Sequence, residues 1–352
     1  MATYNALGMD IFAGGFTVGV SKHFNVLAHL EEGPYGVKSF KLNYPNVPVV
    51  IGTDKWKPFI DDLKREHGKI HFQYANPPCA VWSVAGSVMR GGGDAWRKDP
   101  RISCWEDCFD AFLHARPHFY ACESVTRAYT AGNEFMKKLE KKALNADYSV
   151  THLLIDAQYL GVPQRRKRYF FIAHDRALEF QQPNWGPAET VFEVLSRVKD
   201  PGYVSTFKND LQKKLLKNLP PKVPLRKLWE EEMTKTVGPE DTWPRESFGV
   251  VGRPRMFVHR VHGDQPIGAI TGDYFIHPKE DRYLGMNELK VLNGFPEDYQ
   301  FAGSPGAWAS LIARGVCPPV GEWLARNVRN ALDANKKTSG QVREVNLMEP
   351  PR

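Results

Sequence analysis

Cysteine is scarce in this 352-residue chain: Cys79, Cys104, Cys108, Cys122 and Cys317 are irregularly spaced and form no CxxC pair. That excludes a disulfide framework and the usual zinc spacings, and it predicts a reducing, cytoplasmic setting and a protein without a metal. No run approaches the ~18 consecutive apolar residues of a membrane helix, and no charged-then-apolar leader opens the sequence, so no membrane partner is expected. No internal repeat occurs. Acidic residues are in deficit, 40 against 47 Lys and Arg, and the resulting net charge of +7 admits a polyanionic partner without requiring one. The length allows a large core, in one big domain plus a smaller one.

What is present is a rhythm. Ala6–Ile11, Val26–Leu30, Val47–Ile51, Ile70–Tyr74, His118–Cys122, Val150–Ile155 and Tyr169–Ala173 read as strands. Phe16–His23, Tyr35–Asn43, Lys57–His67, Trp105–Ala115 and Asn133–Ala143 read as helices between them. This predicts an α/β fold with a doubly wound, mostly parallel sheet and ligands at the strand C-termini. The rhythm stops around Pro183, and Pro201 to Arg255 is rich in proline, lysine and tryptophan. Residues 183–281 are therefore expected to form a smaller irregular domain inserted into the first. The first domain would occupy 1–182 and resume over 282–335, with helices at Met286–Asn293 and Val320–Ala334. The tail, 336–352, is polar and expected to be disordered.

Several residues sit where such a sheet works. Pro77-Pro78-Cys79 holds a thiol behind two residues that fix φ and donate no N–H, at a strand's C-terminal end. A free cysteine is more often simply buried, and position alone singles this one out. Asp10-Ile11-Phe12-Ala13-Gly14-Gly15 is either a backbone that approaches a ligand or a tight turn. Glu31 and Asp54 follow the second and third strands; they read as acids for a ribose and an adenine amino group, or as solvated carboxylates. Glu123 is either a desolvated proton donor or a loop acid. Arg165, Arg166, Lys167 and Arg168 precede a buried strand and cannot all face water. Alternation puts Gln164, Arg166 and Arg168 on one face, suited to a phosphate or a base edge.

Taken in order, these segments resemble the cytosine-C5 DNA methyltransferase family from about Leu7 to Ala331. Asp10–Gly15 is similar to its donor-binding motif, and Pro77-Pro78-Cys79 with Ser83, Ala85 and Gly86 to its nucleophile motif. Glu123-Ser124-Val125 resembles its Glu-Asn-Val motif, and Gly161–Arg168 its Gln-x-Arg-x-Arg motif. Arg282, Leu284, Glu288, Leu292, Gly294-Phe295-Pro296 and Tyr299 resemble the ninth motif. Gly315-Val316 with Pro318-Pro319 resembles the tenth.

The resemblance implies a Rossmann-like, S-adenosylmethionine-dependent enzyme acting on DNA as a monomer. Cys79 would add to cytosine C6, Glu123 would act at N3, and Arg168 would hold O2 with Arg166 in support. The donor would lie against Asp10, Phe12, Ala13, Gly14, Gly15, Glu31, Asp54, Pro77, Arg314 and Val316. Ser83 and Gln164 would face the substrate. The cytosine must leave the duplex, under a loop at Gly86 to Arg101, while the insert reads the DNA.

Four departures stand out. The first motif is two residues short, Ala80 stands where Gln is usual, and Ser124 replaces Asn. Arg314 takes the place of the Asn in Gly-Asn-x-Val. A guanidinium beside a sulfonium is unfavourable without an anion near them. Arg314 would therefore point outward or pair with a carboxylate, contact DNA phosphate, or meet a carboxylate on the donor. The last case is carboxy-S-adenosylmethionine, with 5-carboxymethylcytosine as product. A catalytically silent DNA-binding relative and an RNA cytosine methyltransferase are the rival readings.

Overall fold

A computed structural model describes residues 3–10, 12–52, 55–83, 95–205, 210–239, 254, 258–272 and 275–351. Asp54 and most of the expected loop at 86–101 lie outside the described residues. Eight strands form one sheet: β1 (Asn5–Asp10), β2 (Asn25–Glu31), β3 (Val49–Ile51), β4 (Phe72–Asn76), β5 (Phe119–Val125), β6 (Ser149–Asp156), β7 (Lys167–His174) and β8 (Val342–Leu347). Their order is β8-β6-β7-β5-β4-β1-β2-β3. Every neighbouring pair is parallel except those made by β7, which runs antiparallel to both β5 and β6. β4 and β6 are buried along their whole length, as strands covered on both faces are.

Helices cover both faces, and α2 (Pro34–Asn43) stacks its Phe40 on His29 of β2. On one face lie α1 (Gly15–Val20) and α9 (Pro318–Ala334), whose Phe16, Val20, Val320, Leu324 and Val328 meet Phe72, Phe119 and Phe170 of the sheet. On the other, α3 (Trp56–His67), α4 (Ile102–Ala115) and α5 (Asn133–Asn145) bring Ile60, Phe109, Phe112 and Leu139 against Leu7, Tyr120 and Phe171. Among the described residues no helix is long and apolar enough to cross a membrane, and no His, Cys, Asp and Glu cluster suits a metal ion.

The segment after Pro183 contains α6 (Leu225–Val237) and a small core of Leu216, Leu219, Leu225, Val258 and Ile276. Val261, Ile267 and Ile270 join a second cluster with Leu284, Leu289 and Ile312. These last residues belong to, or adjoin, α7 (Met286–Leu292) and α8 (Pro305–Arg314), so this segment and the returning chain share a core.

The tail corrects an expectation. It is not disordered over Val342–Leu347, which pairs with β6 from Val342↔Val150 to Leu347↔Ile155. An edge of β6 left bare would strand buried N–H and C=O groups, and β8 supplies their partners. Side chains reinforce the pairing: Arg343 Nε donates to Thr151 Oγ1 at 3.1 Å, and Tyr129 donates to Glu344.

Candidate active site

Pro77 and Pro78 end β4 because neither can donate to a ladder, and Cys79–Val81 then makes one 3-10 turn. Cys79 is partly exposed there. Glu123, on β5, is 2% exposed. Its Oε1 lies 2.8 Å from Arg168 Nε at the start of β7, and its Oε2 accepts from Asn76 Nδ2 at 2.5 Å. Burial pushes the Glu123 carboxyl above the usual range, while Arg168 and Arg166 pull it back. Asn76 escapes sequence reasoning; its only signal is its place immediately before Pro77.

The Cys79 thiol is pushed above its ordinary value of 9.0, by burial first and by the charge of Glu123 second, against Arg168, Arg166 and Arg314. A group so shifted is a thiol at neutral pH until something lowers the cost of its charge. Iodoacetamide labelling of Cys79, followed against pH, is therefore expected to rise with a midpoint above 9.0. Glu123→Gln removes a negative charge and moves that midpoint down; Arg314→Asn removes a positive one and moves it up. Peptide mapping of the labelled protein reads both shifts, and a midpoint unmoved by either substitution contradicts the arrangement.

The expected alternation holds at Gln164–Arg168: Gln164 and Arg166 are buried, and Arg165 and Lys167 exposed. Arg166, 2% exposed, is engaged by backbone. It donates to Ile270 O (3.0 Å), Ala313 O (2.7 Å) and Gly315 O (3.1 Å). Burial, then the neighbouring Arg168 charge, pushes its guanidinium down to about 10. Gln164 accepts from Ile270 N at 3.0 Å and donates to Asn293 Oδ1 at 2.8 Å. The pair thus ties the sheet to the segment after Pro183 and to the return, while Arg168 meets the acid.

At the end of β1, Asp10 Oδ2 accepts from Phe16 N (2.8 Å) and Thr17 N (3.1 Å), and its Oδ1 is buried without a partner among the described residues. Phe12, Ala13 and Gly14 follow in left-handed conformation, with φ of 78°, 67° and 76°. Two of them are not glycine, so this shortened turn is strained and must be held. Glu31 holds it: its carboxylate accepts from Phe12 N (3.3 Å) and Ala13 N (3.2 Å), and from Glu32 N (3.0 Å) and Gly33 N (3.2 Å). Tyr299 donates to Ala13 O. A Cβ on Gly15 would fall 2.3 Å from Val316 O, so only glycine lets these backbones meet.

Pro77 is buried, and Ser83 N donates to Cys79 O at 3.0 Å. Arg314 ends α8 exposed, with its guanidinium 5.8 Å from the centroid of the Phe12 ring and no ion pair among the described residues. Arg314 is thus exposed beside the Phe12 ring, and it pairs with no carboxylate among the described residues.

An antiparallel strand lodged in an otherwise parallel sheet, with a glycine turn ending its first strand, gives the protein a Rossmann-like α/β fold. More narrowly, the chain belongs to the C-5 cytosine-specific DNA methylase family, whose model matches residues 8–330. It is 26% identical over 330 residues to the type II methyltransferase M1.HphI of Haemophilus parahaemolyticus, covering 91% of this chain and 86% of that one. It is 25% identical over 319 residues to the type II methyltransferase M.MthTI of Methanothermobacter thermautotrophicus, covering 81% and 91%. A prophage-encoded E. coli protein, described as a DNA modification methyltransferase, superposes with a TM-score of 0.66 at 19% identity over 94% of this chain and 100% of that one, a likeness of fold.

Proposed function

We propose that the protein methylates cytosine C5 in DNA through a covalent adduct between Cys79 and C6 of a flipped base. The observation that carries this reading is the Glu123 carboxyl, buried and clasped by Asn76 and Arg168, with Cys79 close enough to feel its charge. Cytosine C5 is too weak a nucleophile unaided. The Cys79 thiol gives up its proton to water as its Sγ bonds to C6, which makes C5 enamine-like, and a proton on Glu123 goes to N3 as that bond forms. Arg168 then balances the carboxylate and faces O2. Once C5 carries the transferred methyl group, loss of the C5 proton to water breaks the S–C6 bond and frees the thiolate, and the N3 proton returns to Glu123. Segment 183–281 would supply target recognition.

S-adenosylmethionine, when bound, supplies the electrophilic methyl group. The residues fit it: Asp10 offers a buried carboxylate oxygen, unpartnered among the described residues, and Gly15 lets the backbone draw close. Asp10, Phe12–Gly15, Glu31, Pro77 and Val316 would hold it, Glu31 first releasing the turn. Incubating the purified protein and donor with duplex DNA or with RNA, then digesting to nucleosides for mass spectrometry, tests the reading. 5-Methylcytosine is expected in DNA; product in RNA alone, or none, overturns it.

A second reading concerns the transferred group and rests on Arg314, whose exposed charge acts on Cys79 without an ionic partner among the described residues. It supports a donor carrying its own carboxylate. One charge-assisted contact of roughly 1.5–3 kcal/mol would give about tenfold to a hundredfold preference for carboxy-S-adenosylmethionine in direct competition. Arg314→Asn should then reverse the preference. Methyl transfer alone, with Arg314→Asn changing only the overall rate, assigns Arg314 to DNA phosphate or to the fold.

A further inference from the structure

Two side chains grip the backbone on either side of Cys79. Trp105 Nε1, on α4, donates to Pro78 O at 3.4 Å, and Arg127 Nε donates to Trp82 O at 3.1 Å. Between these points Trp82 N and Ser83 N both donate to Cys79 O, each at 3.0 Å. The stretch from Pro78 to Ser83 is therefore one closed turn, held from outside near both ends.

The hold is backed by packing. Trp82 is 2% exposed and lies in an aromatic box with Trp96, Trp105 and Phe135, at centroid distances of 5.0, 5.8 and 5.7 Å. Gly132 closes the box, because a Cβ there would fall 2.7 Å from the Trp82 ring. Ser124, beside Glu123 on β5, has a buried hydroxyl with no partner among the described residues. Arg127 grips the turn from the short helix Arg127–Thr130 that continues directly from β5. The group that holds the thiol's turn therefore stands four residues after the acid, just beyond the end of β5.

We propose that Arg127 and Trp105 are positioning residues for Cys79, setting its sulfur relative to Glu123 so that attack on C6 and proton delivery to N3 share one geometry. The proposal rests on the reading of Cys79 as the nucleophile. Neither side chain needs to touch the base, and displacement of a reacting atom by an ångström can cost about a hundredfold in rate.

Three variants test it: Trp105→Phe, which deletes one N–H and keeps the ring; Arg127→Met; and Arg127→Lys, which keeps a donor. The readouts are the single-turnover rate of adduct formation with 5-fluorocytosine DNA, the donor and DNA dissociation constants, and the melting temperature. Trp105→Phe and Arg127→Met are each expected to slow adduct formation about tenfold or more, with both dissociation constants within about twofold of wild type. Arg127→Lys should recover part of the rate. Wild-type rates in both Trp105→Phe and Arg127→Met overturn the proposal. So does a loss of rate that merely tracks weaker binding or a lowered melting temperature, or no recovery in Arg127→Lys. Cys79→Ser serves as the control: an adduct that persists in it removes the nucleophile reading itself, and the positioning proposal falls with it.

Discussion

Cys79→Ala is expected to form no denaturant-resistant complex with DNA containing 5-fluorocytosine, where the unsubstituted protein accumulates one. Fluorine at C5 cannot leave as a proton does, so an enzyme that adds at C6 and alkylates C5 is trapped on its substrate. The change to alanine removes one sulfur from a turn tied by backbone groups, so folding should survive. The useful control is Cys104→Ala, because Cys104 is the other partly exposed cysteine whereas Cys108, Cys122 and Cys317 are buried. Trapping should persist in Cys104→Ala and in Cys317→Ala. A complex that still forms with Cys79→Ala would assign the nucleophile elsewhere.

Glu123→Gln should lower turnover by roughly 10²-fold or more, because it keeps the shape of the group and abolishes its transferable proton. The structure adds a second expectation. Both neighbours of the carboxyl are donors, Asn76 Nδ2 and Arg168 Nε, so a glutamine amide must turn its own N–H toward one of them. The substitution should therefore lower the melting temperature, while donor binding by calorimetry stays near wild type. Asn76→Ala in the same chain relieves the mismatch and should restore the melting temperature but not the rate. Donor affinity falling in step with rate would move Glu123 into the donor pocket.

How much of this was legible follows from distance along the chain. Each strand of the main sheet up to β7 shows in the sequence within a few residues, because burial concentrates apolar residues in short segments between helical runs. Direction does not show: nothing in Lys167–His174 tells that it runs against its neighbours. β8 was invisible because Arg343 and Glu344 interrupt its apolar positions, and it is stabilised by pairing with β6 nearly two hundred residues away. α8 starts at Pro305 and has Gly306 in its first turn, and so lacks a clear helical signal despite the Ser304 cap. In the site, Cys79, Glu123 and Arg168 are legible because each stands at a strand end. Asn76, Arg127 and Trp105 act through contacts between residues 27 to 47 positions apart, which no local pattern encodes.

The late strand β8 also bears on how the protein behaves outside its folded state. Until Val342–Leu347 docks, one side of β6 presents a row of free N–H and C=O groups on a strand that carries Val150, Leu153, Leu154 and Ile155. Such an edge is a template for pairing with another copy, and a parallel partner from far along the chain is slow to arrive. Chains cut after Ala334 should therefore self-associate at concentrations where the full chain stays dispersed, whatever becomes of their chemistry.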